Sequence, residues 1–231
     1  TDMNAIRRDE NCDCLHSIYV DQYDWEKIIL PSQRNFDCLR QTVCDIYETL
    51  ISAEQYVLSN FPSLGQAVLP EKISFISSQE LEDAYPSLTP KEREYMAAKK
   101  YGAVFISQIG GRLRSGKRHD GRAPDYDDWT LNGDIILYYP ELDIPFELSS
   151  MGIRVDAQAL KSQLDELGLK ERMALPYHQE ILNGTLPLTI GGGIGQSRLC
   201  MFMLRKHHIG EVQASVWPKE HIEQCLRQGI T

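Results

Sequence analysis

The sequence predicts one mixed α+β domain, a mostly antiparallel sheet flanked by helices. Three observations predict it. Strand-like runs at 134–139 and 145–154 follow one another across a short turn at 140–143. Segments of helical period stand between other such runs, the clearest at 32–59. The 231 residues contain no internal repeat and no low-complexity linker, and are enough for one large domain with its own core.

Composition narrows the class. Hydrophobic residues make up 42% and charged residues 25%, ordinary for a globular protein. The net charge of −9 argues against nonspecific nucleic-acid binding. No apolar run approaches the length of a membrane span and no secretory h-region is visible. Of the six cysteines, Cys38, Cys44 and Cys200 fall in apolar helical patterns and read as core thiols. Cys12-Asp13-Cys14 is too close-set for a zinc-finger pair, and no second half lies near it in sequence. The expectation is a reduced, cytoplasmic protein without membrane or nucleic-acid partners.

Taken in order, Met3 to Glu10 and the alternating run around Ile18 and Val20 read as two strands of a hairpin. That pairing would bring Arg7 near Gln22 and Asp24. Phe36, Leu39, Val43, Ile46 and Leu50 recur at three- and four-residue spacing, giving a long amphipathic helix over 32–59 with Ser32 as N-cap. A short strand follows at 73–76. Thr89-Pro90-Lys91-Glu92 is a capping box with proline at N1, and its helix should stop at Gly102. A buried strand is expected at 103–106, then a basic, glycine-rich mobile loop at 110–121. Asp156 should cap a helix that runs to Leu167. Another helix is expected at 176–183, and a last strand at 212–217.

Residues 186–199 are the most distinctive stretch. An apolar β-run at 188–190 leads into Gly191-Gly-Gly-Ile-Gly195, read as a glycine-dense turn, and then into a helix carrying Arg198. A helix start with free N–H groups beside a cradle without Cβ atoms suits an anion, and Arg198 in the first turn would reach it. A plain strand-to-helix turn with an exposed arginine is the other reading. The stretch is neither a P-loop nor a Rossmann fingerprint, because it lacks their spacing.

Polar residues that break their local pattern complete the picture: Arg7, Gln22 with Asp24, Arg122 with Asp127, Asp134, Glu147 and Arg154. A carboxylate in a buried strand is costly unless paired or metal-bound. Glu147 lies between Phe146 and Leu148 and either meets that condition or faces solvent on an edge strand. Asp134 and Glu147 on neighbouring strands would form a hard oxygen site for Mg²⁺. Arg7 and Arg198 would bracket a nucleotide from opposite ends.

The glycine stretch resembles motif 3 of the class II aminoacyl-tRNA synthetase fold. His16-Ser-Ile-Tyr-Val-Asp-Gln-Tyr-Asp-Trp-Glu26, Arg122-Ala-Pro-Asp-Tyr-Asp-Asp-Trp129, Leu131-Asn-Gly-Asp134 and Phe146-Glu-Leu-Ser-Ser-Met-Gly-Ile-Arg154 are similar, in order and over the whole chain, to the ammonia-dependent aspartate–ammonia ligases. The resemblance implies a class II synthetase-like catalytic domain over 1–231, in a homodimer, using ATP and Mg²⁺ with L-aspartate and ammonia. It implies Arg7 on the α-phosphate and Arg198 on the outer phosphates, with Leu15 and Ser17 at the adenine and Gly193 at the nucleotide. It further implies Gln22, Asp24, Arg122, Asp127, Ser150 and Arg154 around the amino acid, and Asp134 and Glu147 near nucleotide and metal. Asp127 is the expected acceptor for ammonium.

Two departures stand out. The family carries roughly a third more chain before the residue that is Thr1 here, and it has a longer loop where Asp128 to Leu131 closes abruptly. The alternatives are an aspartyl- or asparaginyl-tRNA synthetase core, or a non-catalytic paralogue that binds amino acid or AMP.

Overall fold

The computed structural model describes residues 1–230 and is built round a seven-stranded sheet. The strands are β1 (Asp2–Ile6), β2 (Tyr19–Ile28), β3 (Ser74–Ser77), β4 (Ala103–Ser107), β5 (Asp127–Tyr139), β6 (Ile144–Arg154) and β7 (Thr189–Gly195). Their order is β1-β2-β7-β6-β5-β4-β3, with every neighbour antiparallel except β3 and β4. That parallel pair needs a crossover, which α2 (Ser78–Ala84) and α3 (Pro90–Tyr101) supply.

The long helix α1 (Phe36–Asn60) sets Leu39, Val43, Tyr47 and Leu50 against Phe105, Ile135, Leu137, Ile153 and Ile190 of the sheet, forming the main core. Each such side chain contributes about 1.5–3 kcal/mol on burial. Alternate residues of the same strands, Val104, Ile106 and Ile136, face the other way, under Leu81 of α2 and Ala97 and Ala98 of α3. β4 is therefore buried along its whole length. A third cluster joins Val155 to α4 (Ala157–Glu166) and α5 (Pro176–Leu182) through Leu160, Leu164 and Ile181. The remaining helices are α6 (Gln196–Met203) and α7 (Lys219–Arg227).

Several expectations hold at residue level. Thr89 caps α3, accepting from the Glu92 amide while Glu92 returns the bond, and Gly102 ends the helix at φ 74°. Asp156 caps α4 through the amides of Gln158 and Ala159. Others need correction. Asn35, not Ser32, caps α1, because Pro31–Gln33 closes a short turn of its own. Residues 212–217 form no strand, and α2 and α7 were unforeseen. Cys200 is exposed rather than in the core.

The glycine run is not a turn but the strand β7, hydrogen-bonded to β2 on one side and β6 on the other. The region around Asp128 to Leu131 is likewise strand, within β5. Its pairing slips between Asp127↔Arg154 and Asn132↔Gly152, so five steps on β5 face two on β6. The extra residues are taken up as a bulge rather than a hairpin loop.

Candidate active site

Strand alternation builds the site. Gln22, Asp24 and Glu26 point to one face of β2, and their partners on β7 are Gly195, Gly193 and Gly191. The absence of side chains there is a steric necessity. A Cβ on Gly193 would lie 2.7 Å from Gln22 Oε1 and 2.8 Å from Asp24 Oδ1, and one on Gly191 would collide with Glu26 and Arg154. The row continues from Gly193 to Ser150 on β6 and Asp134 on β5. Asp24, Gly193, Ser150 and Asp134 thus form a polar line across four strands.

Two cavities open onto this floor and share Gln22, Ser150 and Gly193 in their walls. The first, about 170 Å³, is bordered by Arg7, Leu15, Ser17, Glu147 and Arg198. The second, about 300 Å³, is bordered by Asp24, Arg122, Tyr126 and Asp127. The structure therefore divides most of the predicted residues between two adjoining cavities that meet at Gln22, Ser150 and Gly193, whereas Asp134 and Arg154 line neither. Arg7 differs from expectation: its amide bonds to Ile18 O at 2.7 Å, so it shares the first cavity with Gln22 but does not border the second with Asp24. Its side chain pairs with Glu10 at 3.2 Å and is half exposed, free to turn towards a phosphate.

Arg198 is the third residue of α6 and is held from two sides. Nη1 donates to Glu147 O at 2.6 Å and Nη2 to His16 Nε2 at 2.9 Å. An arginine has no acceptor, so His16 Nε2 must accept and its proton sits on Nδ1, which faces the Asp13 carboxylate at 2.9 Å. Asp13 also takes the Leu15 amide at 2.7 Å. The Ser17 hydroxyl is buried and committed to Tyr19 O and Gln213. Gln213 in turn reaches Ser197 and Asp21. The Leu15 amide and the Ser17 hydroxyl are therefore both committed within the protein.

In the second half, Arg154 lies over the Tyr126 ring at 4.2 Å and joins Asp127 to Glu26, the latter at 2.8 Å. Burial raises the Asp127 carboxyl above its ordinary value and outweighs the attraction of Arg154. Asp134 is paired with Arg122. Burial first, and then the nearby charge of Glu147, pushes the Asp134 carboxyl up to about 7 despite that partner. Buried Asp134 and half-buried Glu147 are like charges that a hard divalent cation would relieve, so their oxygen donors fit Mg²⁺.

His16, Asp21, Glu26 and Gln213 were not singled out from sequence. Glu26 was within reach, since it continues the alternation of Gln22 and Asp24. Gln213 was not, because its segment reads as a strand and two of its partners, Ser17 and Asp21, lie 196 and 192 residues away.

Known proteins share this architecture. Over 92% of the chain it superposes on an aspartyl-tRNA synthetase from Entamoeba histolytica, with TM-score 0.65 and 14% identity. Over 94% it superposes on an asparaginyl-tRNA synthetase from Pyrococcus horikoshii complexed with asparaginyl-adenylate, with TM-score 0.64 and 12% identity. The chain spans 46% and 53% of those two proteins, and at such identities the likeness establishes the class II synthetase fold alone. Sequence relatives are much nearer. The chain is 59% identical over 230 residues to an aspartate–ammonia ligase of Clostridium perfringens strain SM101 and 60% identical to one of Fusobacterium nucleatum subsp. nucleatum. All of the chain is matched, against 68% and 70% of the relatives. A family model described as aspartate-ammonia ligase matches residues 1–229. With this fold, these two adjoining cavities and that identity, the chain belongs to the aspartate–ammonia ligase family.

Proposed function

We propose that this chain forms the catalytic body of an AMP-forming ligase that makes L-asparagine from L-aspartate, ammonia and ATP. The observation that carries the reading is the junction of the two cavities at Gln22, Ser150 and Gly193. A nucleotide in the first and an amino acid in the second would bring α-phosphorus and side-chain carboxylate together over the gap that Gly193 leaves between Gln22 and Ser150, as in-line transfer requires.

The first step is attack by a β-carboxylate oxygen on the α-phosphorus, with loss of the bond to pyrophosphate. Arg7 stabilises charge on the α-phosphate and Arg198 receives the departing pyrophosphate. Asp134 and Glu147 would hold Mg²⁺, which would supply neutralisation of phosphate charge. Arg154 and Arg122 orient the amino acid, with Gln22, Asp24 and Ser150 lining its approach. The nitrogen of ammonia then attacks the β-carbonyl carbon and the bond to AMP breaks. Ammonium dominates at neutral pH, so a carboxylate must take a proton before or during attack. Asp127 fills this role, since its raised carboxyl is a stronger base than an exposed one. The protein acts in the cytoplasm as a homodimer and needs no nucleic acid.

The test is to incubate the protein with ATP, Mg²⁺, aspartate and ammonium in the absence of tRNA. Equimolar AMP and asparagine support the ligase. Adenylate that is released only on adding tRNA would identify a synthetase core, and no nucleotide turnover would identify a binding paralogue. Asp127→Asn that impairs aspartate binding while leaving the ammonia-dependent step intact would overturn the base assignment.

A further inference from the structure

Around α7, the chain gathers a second set of chemical groups that the ligase reaction does not use. The ligand atoms of His208, His221 and Cys225 lie within 4.8 Å of one another. His208 and His221 meet Nε2 to Nε2 at 2.7 Å. His221 and Cys225 are four residues apart on α7 and so present side chains one above the other. Trp217 walls the group, stacked on the His221 ring at 5.2 Å and edge-on to His208 at 4.9 Å. An adjoining cavity of about 760 Å³ is lined by the same three residues together with Cys12, Asp13 and Cys14. Cys14 borders the same cavity and is the thiol placed to complete the set of three. Close spacing within the sequence leaves Cys12-Asp13-Cys14 without a second half, but the fold brings one to it from 200 residues away.

We propose that His208, His221, Cys225 and Cys14 form a zinc site that fastens α7 to the loop at 12–16. Two imidazoles and two thiolates are the borderline-soft donor set that zinc prefers; the atoms of His208, His221 and Cys225 already lie close together, and Cys14 would close on the fourth position from across the cavity. The site also gives α7 an anchor. None of its residues is buried, so it has little apolar contact to hold it to the body. The anchored loop carries Asp13 and His16, and His16 is the group that meets Arg198. Zinc would therefore brace the outer wall of the nucleotide cavity.

Loading has a definable cost. The Gly210 amide points at His208 Nδ1 at 3.0 Å, so without metal the His208 proton lies on Nε2, towards His221. Binding through Nε2 moves that proton to Nδ1 and gives up the Gly210 bond, while the thiol protons of Cys225 and Cys14 pass to solvent. Two metal–nitrogen and two metal–sulfur bonds replace one imidazole pair and one amide bond.

The experiment uses the whole chain, stripped with chelator and titrated with Zn²⁺ against a chromophoric chelator, then with Co²⁺ as a spectroscopic probe. The expected result is one ion per chain, with intense sulfur-to-cobalt charge-transfer absorption in the near ultraviolet. His221→Asn and Cys225→Ser should each weaken Zn²⁺ binding at least about tenfold. Their far-ultraviolet circular dichroism should be unchanged, since both positions lie on a helix without buried residues. Cys200→Ser, remote from the cluster, should bind as the parent does. Failure of the parent to retain one equivalent of Zn²⁺, or equal loss in Cys200→Ser, would overturn the site. Retained affinity in Cys14→Ser with loss in the other two would overturn the four-ligand assignment.

Discussion

Gly193 offers a sharp test of the floor of the active site. Its neighbours across the sheet are Asp24 and Ser150, and it borders both cavities. In Gly193→Ala the new Cβ would meet Gln22 Oε1 at 2.7 Å and Asp24 Oδ1 at 2.8 Å, where ordinary contact begins at 3.4 Å. Both oxygens must retreat by about 0.6–0.7 Å. The atoms that move are ends of side chains, so the strand survives, but they are the ones proposed to hold aspartate. A misplacement of this order costs about 10- to 100-fold in turnover, equivalent to about 1.4–2.7 kcal/mol in the transition state. Gly192→Ala provides the contrast. There the Cβ meets Ser150 O at 2.7 Å and Met151 Cα at 3.1 Å, backbone that cannot swing away, so the loss should fall on stability. Gly111→Ala, with nothing within 4 Å, should change neither. The assay is asparagine and AMP formation against aspartate concentration, with thermal unfolding measured on the same samples. Near-parental kcat/KM in Gly193→Ala would refute the floor as the aspartate-binding surface. A large fall in Tm would instead show that the side-chain ends are not free to yield.

Four further outcomes are expected. Arg154→Ala should destabilise the fold by about 3–5 kcal/mol in urea denaturation, because it leaves the buried Asp127 without its charged partner. Arg154→Lys should not restore aspartate binding, since an ammonium cannot both stack on Tyr126 and reach Asp127 and Glu26 with separate nitrogens. Glu54 accepts the Val68 and Leu69 amides and pairs with Arg205 at 2.8 Å, so Glu54→Ala should cost a similar 3–5 kcal/mol by the same measurement. For pH, burial opposes ionisation of Glu94, but the His119 hydrogen bond and Lys91 outweigh it and hold the carboxyl below its ordinary 4.5. A carboxyl lowered in the folded state adds stability that is present above the unfolded value and lost as pH falls through the folded one. The stability gap between parent and Glu94→Gln should therefore be widest above pH 4.5 and close on further acidification. A gap that did not change with pH would refute the assignment.

The residues that determine their own surroundings were legible in the chain. Thr89, Glu92 and Gly102 delimit α3, and Asp156 starts α4, because a cap is satisfied by amides two or three residues away. The long apolar stripe of α1 and the buried strand β4 were readable for the same reason: one face, or every residue, must leave water. Arg7, Gln22, Asp24, Asp127, Asp134, Glu147, Arg154 and Arg198 stood out as charges or amides inside otherwise regular patterns; of these Asp127, Asp134 and Arg154 are buried, where a charge has few explanations.

What the tertiary structure decided is which of these groups share a cavity. The glycines of β7 looked like a turn because a glycine run has no pattern of its own. They are a strand because β2 and β6 supply its hydrogen bonds and fill the space its side chains would occupy. Arg7 lies level with Ile18 and not Asp24 because hairpin register, set by pairing across the sheet, decides its height. Gln213 joining Ser17, and Cys225 facing the same cavity as Cys14, depend on segments about two hundred residues apart coming together. Local hydrogen bonds follow from adjacent residues, whereas such meetings are decided only when the whole sheet closes.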